Sequence, residues 1–247
     1  MKQARTVPVL MYHHISPSEG MITTSPDNFE RQLLWLSRRG YRSLTSDEFA
    51  GHLQGRAVPA RSILITFDDG YLDNWVYAYP LLRKYGFSAL IFLVTSWVGE
   101  GPVRHYLGQD ELPETPAHDE CERLVAQGRS DEAMLRWSEI EAMRAAGTFE
   151  FHSHTHTHTR WDKTSASEKN TRMAQELSLS RETLIKHLGG VSEHFCWPQG
   201  YFDADYIQIA REAGFQYLYT TQAFGQNQAG TDPASIYRFA VRNTSGE

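Results

Sequence analysis

Two short runs carry residues whose types and spacing suit chemistry. Thr66-Phe67-Asp68-Asp69-Gly70 places two adjacent carboxylates at the end of an apolar segment, and His154 and His158 stand four residues apart in a later histidine-rich run. One carboxylate and two imidazoles can hold a zinc ion and still leave coordination positions open, as catalytic zinc sites do. The second carboxylate is then free for acid–base work. The set therefore suits hydrolysis by a metal-activated water.

Each run also has a plainer explanation. Asp-Gly is a common turn pair, and either aspartate could cap the helix that follows. The run from His152 to His158 alternates histidine with serine or threonine, so it could be a surface tract with weak metal affinity. Within it, His152/His156 and His154/His158 both have the spacing of four that a helix face or a tight loop brings together. The position of the two runs in the sequence favours a functional site over these plainer explanations, because each run follows a segment that is predicted to be a strand.

The elements that position these residues follow from the hydrophobic pattern. Short apolar runs alternate with amphipathic segments, which predicts repeated β–α units in a barrel or a doubly wound parallel sheet. Strands are predicted at 7–12, 62–67, 88–94, 148–151, 194–197 and 217–220, and helices from about 26 and at 73–85, 137–146, 167–188 and 203–213. The stretch 98–131 is rich in glycine and proline, and we predict an inserted loop region there, over one end of the fold.

The aspartate pair sets a condition on the backbone. Neighbouring residues of a regular strand point to opposite faces, so Asp68 and Asp69 face one site only if the chain leaves strand geometry there. Gly70 permits this, because glycine adopts conformations that other residues avoid. In a parallel α/β fold the carboxyl ends of the strands gather around the active site. We therefore expect an irregular backbone at this strand end.

Length and composition narrow the class of protein. A chain of 247 residues, 40% hydrophobic and 22% charged, suits a soluble globular protein with one α/β barrel or two small domains. The net charge of -6 gives no support to nucleic acid or an anionic membrane as partner. Cys121 and Cys196 lack metal-type or redox-type spacing, and reduced thiols are favoured over a disulfide. The apolar runs are too short for an export signal or a membrane-spanning helix, so a cytoplasmic protein is expected.

These motifs resemble those of the polysaccharide deacetylases with the NodB homology domain. The run 66–70 matches the first motif of that family in full, and Ser153-His154-Thr155-x-x-His158 matches the second, which selects His154/His158 over His152/His156. Trp197-Pro198-Gln199-Gly200 lies where the third motif belongs. The resemblance spans roughly residues 7–221 without the insertion. It implies one catalytic domain, 1–247, folded as a distorted (β/α) barrel of about seven strands.

The resemblance also implies a role for each motif residue. Asp69, His154 and His158 would hold a divalent metal, zinc in the first place, with cobalt, nickel or manganese as other choices. The metal would polarise an acetyl carbonyl and lower the pKa of its water, and Asp68 would accept the proton of that water. The metal and the backbone N–H of Gln199 would hold the oxyanion.

The chain departs from the usual family pattern in three places. Cys196 stands where many members carry an arginine that orients the base, Gln199 replaces a tyrosine, and the usual Leu-x-His near the C-terminus is missing. The beginning of the chain resembles the branch of poly-N-acetylglucosamine deacetylases, in which an N-terminal histidine is the acid. We therefore predict His13 as the acid, ahead of His14. Arg238 is predicted to replace the missing arginine as the partner of Asp68.

The leading hypothesis is a metal-dependent hydrolase that removes the N-acetyl group from an acetamido sugar of a saccharide or glycan precursor. The residues predicted to line the substrate are Trp197, Pro198, Gln199, Tyr201 and Arg238. One alternative is an amidohydrolase acting on a ureide or another non-sugar amide. The other is an inactive sugar-binding protein, suggested by Cys196 and the missing C-terminal histidine. The expected partner is an acetylated saccharide or sugar conjugate, and the sequence leaves the oligomeric state open.

Overall fold

A parallel sheet forms the centre of the molecule. The computed structural model describes residues 2–245, without the side chains of residues 166 and 167, so residues 1, 246 and 247 of the predicted domain lie outside it. The strands are β1 (Val9–Tyr12), β2 (His14–Ile15), β3 (Thr23–Thr24), β4 (Arg42–Ser43), β5 (Ser62–Asp69), β6 (Ala89–Leu93), β7 (Phe149–Ser153), β8 (His194–Cys196), β9 (Tyr217–Tyr219) and β10 (Phe239–Ala240). The main sheet runs β10-β1-β5-β6-β7-β8-β9, with β4 beside β5, while β2 pairs with β3.

The last part of the chain connects the two edges of this sheet. Ile236 forms a parallel bridge with Tyr219 of β9, and Phe239 of β10 pairs with Leu10 of β1. The segment between these pairings therefore runs from one edge strand to the other and closes the sheet into a distorted barrel. The predicted (β/α) barrel of about seven strands is confirmed.

Seven α-helices surround the strands in the part of the chain that the structure describes. They are α1 (Pro26–Arg38), α2 (Ser46–Leu53), α3 (Tyr79–Tyr85), α4 (His118–Ala126), α5 (Trp137–Ala145), α6 (Ala166–Leu188) and α7 (Ala204–Glu212). A π-helical turn covers Asn74–Ala78, and 3-10 turns cover Ser130–Glu132, Trp161–Lys163 and Pro198–Gly200. Helix α1 begins as the sequence predicts, because the Ser25 hydroxyl accepts the Asn28 N–H and Pro26 fills the first turn. Within residues 2–245 no helix is both long and apolar enough to cross a membrane.

The structure departs from the predicted elements in several segments, beginning with the short strands β2, β3 and β4, which were not predicted. The predicted helix at 73–85 begins with the π-helical turn, so only its second half is α-helical. Helix α2 was not predicted, although Thr45 and Glu48 form a capping box at its start. The insertion at 98–131 is not a loop throughout, because it contains α4. Cys121 and Leu124 of α4 pack in a separate small apolar cluster, which explains why this short helix is stable there.

The barrel interior changes from apolar to polar along the strands. All eight residues of β5 are buried, as its continuous apolar pattern predicts. Leu64, Thr66 and Asp68 are two residues apart and face the same side of this strand. Leu64 packs in the apolar interior with Phe49 of α2, whereas Thr66 and Asp68 contact the buried guanidinium of Arg238. The polar end of the barrel is therefore the end that holds the carboxyl ends of the strands.

Candidate active site

The carboxyl ends of four strands of the main sheet, β1, β5, β7 and β8, meet at one cavity. The strand β5 ends in the aspartate pair, and the chain leaves β1 at His13, β7 at His154 and β8 at Trp197. The cavity has a volume of about 270 Å³. Among its lining residues are His13, Asp68, Asp69, His154, His158 and Gln199. The two motifs that are far apart in the sequence therefore share one site.

The backbone leaves strand geometry at this site. Asp69 has a φ of 73° and Gly70 a φ of 86°, so the predicted irregularity is present and includes the aspartate itself. A positive φ is uncommon for residues other than glycine and costs energy that the surrounding fold must supply. At Gly70 a side chain would be strained by the positive φ, and its Cβ would lie 2.7 Å from Leu93 Cδ2, so Leu93 would have to move. This turn directs the carboxylates of Asp68 and Asp69 to the same cavity.

Asp69, His154 and His158 form a compact group of metal-ligating atoms. Asp69 Oδ1 lies 3.4 Å from His154 Nε2 and 3.5 Å from His158 Nε2. All three ligand atoms lie within 4.8 Å of one another. Asp69 Oδ1 is buried and has no hydrogen-bond partner among the described residues. A buried carboxylate oxygen without a donor is costly, and a cation held between it and the two imidazoles would remove that cost.

The surroundings of the two imidazoles suit a divalent metal. His154 Nδ1 lies 2.8 Å from the Cys196 carbonyl oxygen, to which it donates its proton, so Nε2 of the neutral ring would present a lone pair to a cation. Without a cation, burial lowers the pKa of His154, but Cys196, Asp69 and Asp68 outweigh it and hold this pKa well above its ordinary value. Burial lowers the pKa of His158 to about 4, which keeps this imidazole neutral, as a metal ligand must be. The residues present therefore fit a divalent metal.

Two other sets of side chains fit a metal less well. Asp68, His154 and Cys196 also lie within 4.8 Å of one another, but Asp68 and Cys196 both contact Arg238. Burial also raises the pKa of the Cys196 thiol, which disfavours the thiolate that a metal needs. The His152/His156 pair is not brought together with the aspartates. His152 Nδ1 lies 2.5 Å from Ser192 Oγ, and His156 Nδ1 lies 2.9 Å from Thr95 Oγ1.

Asp68 forms a bidentate ion pair with Arg238. The Arg238 Nη1 and Nη2 atoms lie 2.7 Å and 2.8 Å from the two Asp68 carboxylate oxygens. Burial raises the pKa of Asp68, but the charge and hydrogen bonds of Arg238 outweigh it and leave this pKa below its ordinary value. The predicted contact is therefore present. The prediction that Arg238 lines the substrate is wrong, because the arginine is fully buried beneath Asp68.

The two N-terminal histidines occupy different environments. His13 lines the cavity, its side chain is 18% exposed, and its Nε2 lies 3.7 Å from Asp68 Oδ2. Burial lowers the pKa of His13, and the nearby carboxylates partly offset this effect. His14 is buried, with Nδ1 2.6 Å from Asp73 Oδ2. Of the two, only His13 is placed to reach a ligand beside Asp68.

Part of the third motif, residues 197–200, lies away from the cavity that it was predicted to line. Trp197 and Pro198 are buried, so neither lines the substrate as predicted. Because Cys196 faces the barrel interior, the next residue faces the opposite side, where the Trp197 ring stacks on Tyr206 of α7. Gln199 does line the cavity, with a φ of 52°. Strand alternation puts Cys196 and Trp197 on opposite faces, and the contact of Cys196 with Arg238 shows which face is the interior.

The rim beside Gln199 includes Tyr201 and an arginine. Tyr201 is half-exposed, and the Arg160 guanidinium carbon lies 3.2 Å from the centre of its ring. Arg160 also donates to Gln199 Oε1 at 2.7 Å. Tyr201 thus stands at the edge of the site, where it remains a predicted substrate contact.

Sequence reasoning missed several residues of the cavity wall. Tyr71 follows the first motif, while His118 and Glu122 come from α4 in the insertion, and all three line the cavity. No motif marks the pair from α4, because only the folding of the insertion brings them to the site. Their spacing of four within a polar segment was the one available signal.

Comparisons with known proteins agree with the geometry. Residues 55–218 match the family model described as polysaccharide deacetylase. The Bacillus subtilis (strain 168) protein YxkH is 39% identical over 113 residues, which are 45% of this chain and 39% of that protein. The poly-beta-1,6-N-acetyl-D-glucosamine N-deacetylase of Staphylococcus aureus is 26% identical over 206 residues, which are 81% of this chain and 61% of the enzyme. The chain thus spans less than two thirds of the length of these curated relatives.

Solved structures with the same fold are also known. IcaB from Ammonifex degensii superposes with a TM-score of 0.77 at 25% identity, and the match covers 97% of this chain and 93% of that one. A de-N-acetylase from Aggregatibacter actinomycetemcomitans gives a TM-score of 0.76 at 20% identity, covering 96% of this chain and 95% of that one. The second similarity is informative about the fold alone.

Proposed function

The chain belongs to the polysaccharide deacetylase family, and from this premise we propose that it is a metal-dependent hydrolase that removes N-acetyl groups from acetamido sugars. One observation carries the proposal. The buried, unpartnered Asp69 oxygen lies within 3.5 Å of two imidazole nitrogens, beside a second carboxylate that is held by an arginine. This arrangement supplies a metal site and a separate base in one cavity.

Asp69, His154 and His158 would hold the metal. When bound there, a divalent metal such as zinc would act as a Lewis acid that polarises the acetyl carbonyl and makes water more acidic. The choice of zinc over cobalt, nickel or manganese stays a prediction, as does the cytoplasmic location.

The other residues of the site would move the protons. Asp68, which Arg238 keeps ionised, accepts a proton as water adds to the acetyl carbon. The backbone N–H of Gln199 donates a hydrogen bond to the developing oxyanion. His13 then gives a proton to the nitrogen as the carbon–nitrogen bond breaks, so the products are acetate and a free amine.

The size of the cavity and the named relatives support a sugar as substrate. A volume of about 270 Å³ lies just below the usual range for small-molecule sites, which begins at roughly 300 Å³, and this suits one sugar unit entering the cavity. The S. aureus relative acts, by its name, on poly-N-acetylglucosamine. The inactive alternative loses part of its basis, because Arg238 holds Asp68 in place of the arginine missing at Cys196.

Release of acetate tests the proposed function. The zinc-loaded protein is expected to release acetate from oligomers of N-acetylglucosamine, and no ammonia from ureides. A chelator should stop the reaction, and added zinc should restore it.

Zinc should also raise the midpoint of thermal unfolding of the wild type, because a ligand at 100 times its Kd adds about 2.7 kcal/mol of stability. His154→Ala should lose this shift. Ammonia release, or sugar binding without any product, would support one of the two alternatives.

The two N-terminal histidines should differ in their effects. His13→Gln is expected to lower kcat by about 100-fold, the lower part of the range for a general acid, because water enters this partly exposed place. His14→Gln should instead lower the thermal unfolding midpoint, since it removes a partner of buried Asp73. Acetate-release kinetics and thermal unfolding of both variants check this. Equal losses of kcat with equal stability would contradict the assignment of the acid to His13.

A further inference from the structure

A buried polar cluster lies under helix α4 and takes no part in the steps above. The Asp73 carboxylate accepts the Ile15 N–H at 3.0 Å and an Asn74 side-chain N–H at 2.8 Å, and it lies 2.6 Å from His14 Nδ1. A carboxylate accepts hydrogen bonds and a buried one needs them, so His14 Nδ1 carries the proton of this contact. The orientation of the His14 ring is therefore set.

The ring of His14 in turn holds His118, the first residue of α4. His14 Nε2 lies 3.3 Å from His118 Nδ1, and the Tyr71 hydroxyl lies 3.4 Å from the same nitrogen. The Tyr71 ring also stacks on His14, with centroids 3.7 Å apart. Because these two partners occupy His118 Nδ1, its Nε2 is the nitrogen that is left for the cavity.

Glu122 stands beside this nitrogen. It follows His118 by four residues, so the two side chains share one face of α4. Glu122 Oε1 lies 3.6 Å from His118 Nε2, which is longer than a hydrogen bond, and the glutamate side chain is 65% exposed. Both residues line the cavity that holds Asp69. The insertion thus presents an imidazole nitrogen and a carboxylate, side by side, to the space next to the metal ligands.

We propose that His118 and Glu122 bind two neighbouring hydroxyl groups of the acetamido sugar, and that the insertion thereby determines specificity for sugars. This inference rests on the proposed function. A carboxylate accepts a hydroxyl proton, and an imidazole nitrogen exchanges a hydrogen bond with a second hydroxyl. A ureide or a simple ester offers no such pair of hydroxyls. The buried Asp73–His14 pair then acts as the support that fixes His118 for this contact.

Kinetics on two substrates test the assignment. Glu122→Ala and His118→Ala are expected to raise KM for tetra-N-acetylglucosamine by about tenfold, the loss of one hydrogen bond to a charged or fixed group, with little change in kcat. His118→Gln should recover part of the loss. Hydrolysis of 4-nitrophenyl acetate, which has no sugar hydroxyls, should be unchanged. Glu120→Ala is the matched control, because Glu120 lies on the same helix in a surface ion pair with Arg123.

The outcomes separate this inference from the proposed function. A wild type that deacetylates the sugar, with unchanged KM in Glu122→Ala and in folded His118 variants, would overturn the inference alone. A wild type that hydrolyses 4-nitrophenyl acetate but no acetamido sugar would overturn the proposed function as well. Equal losses on both substrates would also count against sugar recognition. If His118→Ala does not fold, the exposed Glu122 decides the question, because its removal leaves the buried cluster intact.

Discussion

Asp68→Asn is expected to lower kcat for sugar deacetylation by up to about 10⁴-fold, the upper limit for a general base, and to leave zinc binding in place. The amide has nearly the shape of the carboxylate but does not accept a proton at neutral pH. The atoms that we propose as zinc ligands belong to Asp69, His154 and His158, which the substitution does not touch. Acetate release and zinc titration against a chelator measure the two quantities on one preparation.

The control for this variant must also break an ion pair. Asp131 pairs with Arg136 through both carboxylate oxygens, at 2.7 Å and 2.6 Å, away from the cavity. Asp131→Asn should therefore leave kcat unchanged. Asp68→Asn also leaves Arg238 buried without its charged partner, so rates must be compared per folded, zinc-loaded molecule. A variant that binds zinc and keeps wild-type kcat would remove Asp68 from the role of base.

The sequence predicted the barrel because its signals are local and repeated. Apolar runs such as 62–67, and glycines such as Gly86 at the end of α3, mark strands and helix ends without reference to distant residues. The same holds for the three candidate metal ligands. Asp69, His154 and His158 lie next to strand ends, and a parallel sheet brings strand ends together whatever lies between them.

The residues that the sequence did not place depend on tertiary contacts. Trp197 looked like a binding residue because a tryptophan near a strand end suits either role, and only the direction of Cys196 decides between them. His118 reaches the cavity through the folding of the insertion, which has no repeating pattern to predict it. The contact of Arg238 with Asp68 was predicted from a missing arginine, not from spacing, since 170 residues separate the pair.

Arg238→Ala is expected to lower kcat by about 10² to 10³-fold and to move the acid limb of the pH profile to higher pH. General-base catalysis contributes about 10² to 10⁴-fold, and a base that has lost its partner loses much of this factor. Breaking one side of a buried ion pair also destabilises the fold by about 3–5 kcal/mol, so rates are compared per folded molecule. In the wild type, Arg238 holds the pKa of Asp68 below its ordinary value against the effect of burial. Without the guanidinium, burial dominates and raises that pKa, so the base is protonated, and activity is lost, at a higher pH than in the wild type.

Two further variants separate a role in positioning the base from a role in stability. Arg104 and Glu139 form another bidentate ion pair, at 2.7 Å and 2.8 Å, so Arg104→Ala should lower the unfolding midpoint without moving the pH profile.

Cys196 Sγ lies 3.0 Å from Arg238 Nη2 and 3.8 Å from Asp68 Oδ2. Adding Cys196→Arg to Arg238→Ala would therefore return a guanidinium to Asp68 from β8, in the space that the removed arginine leaves. Recovery of both kcat and the pH profile would assign the effect to the charge beside Asp68. A single Arg238→Ala variant with unchanged rate and pH profile would exclude it.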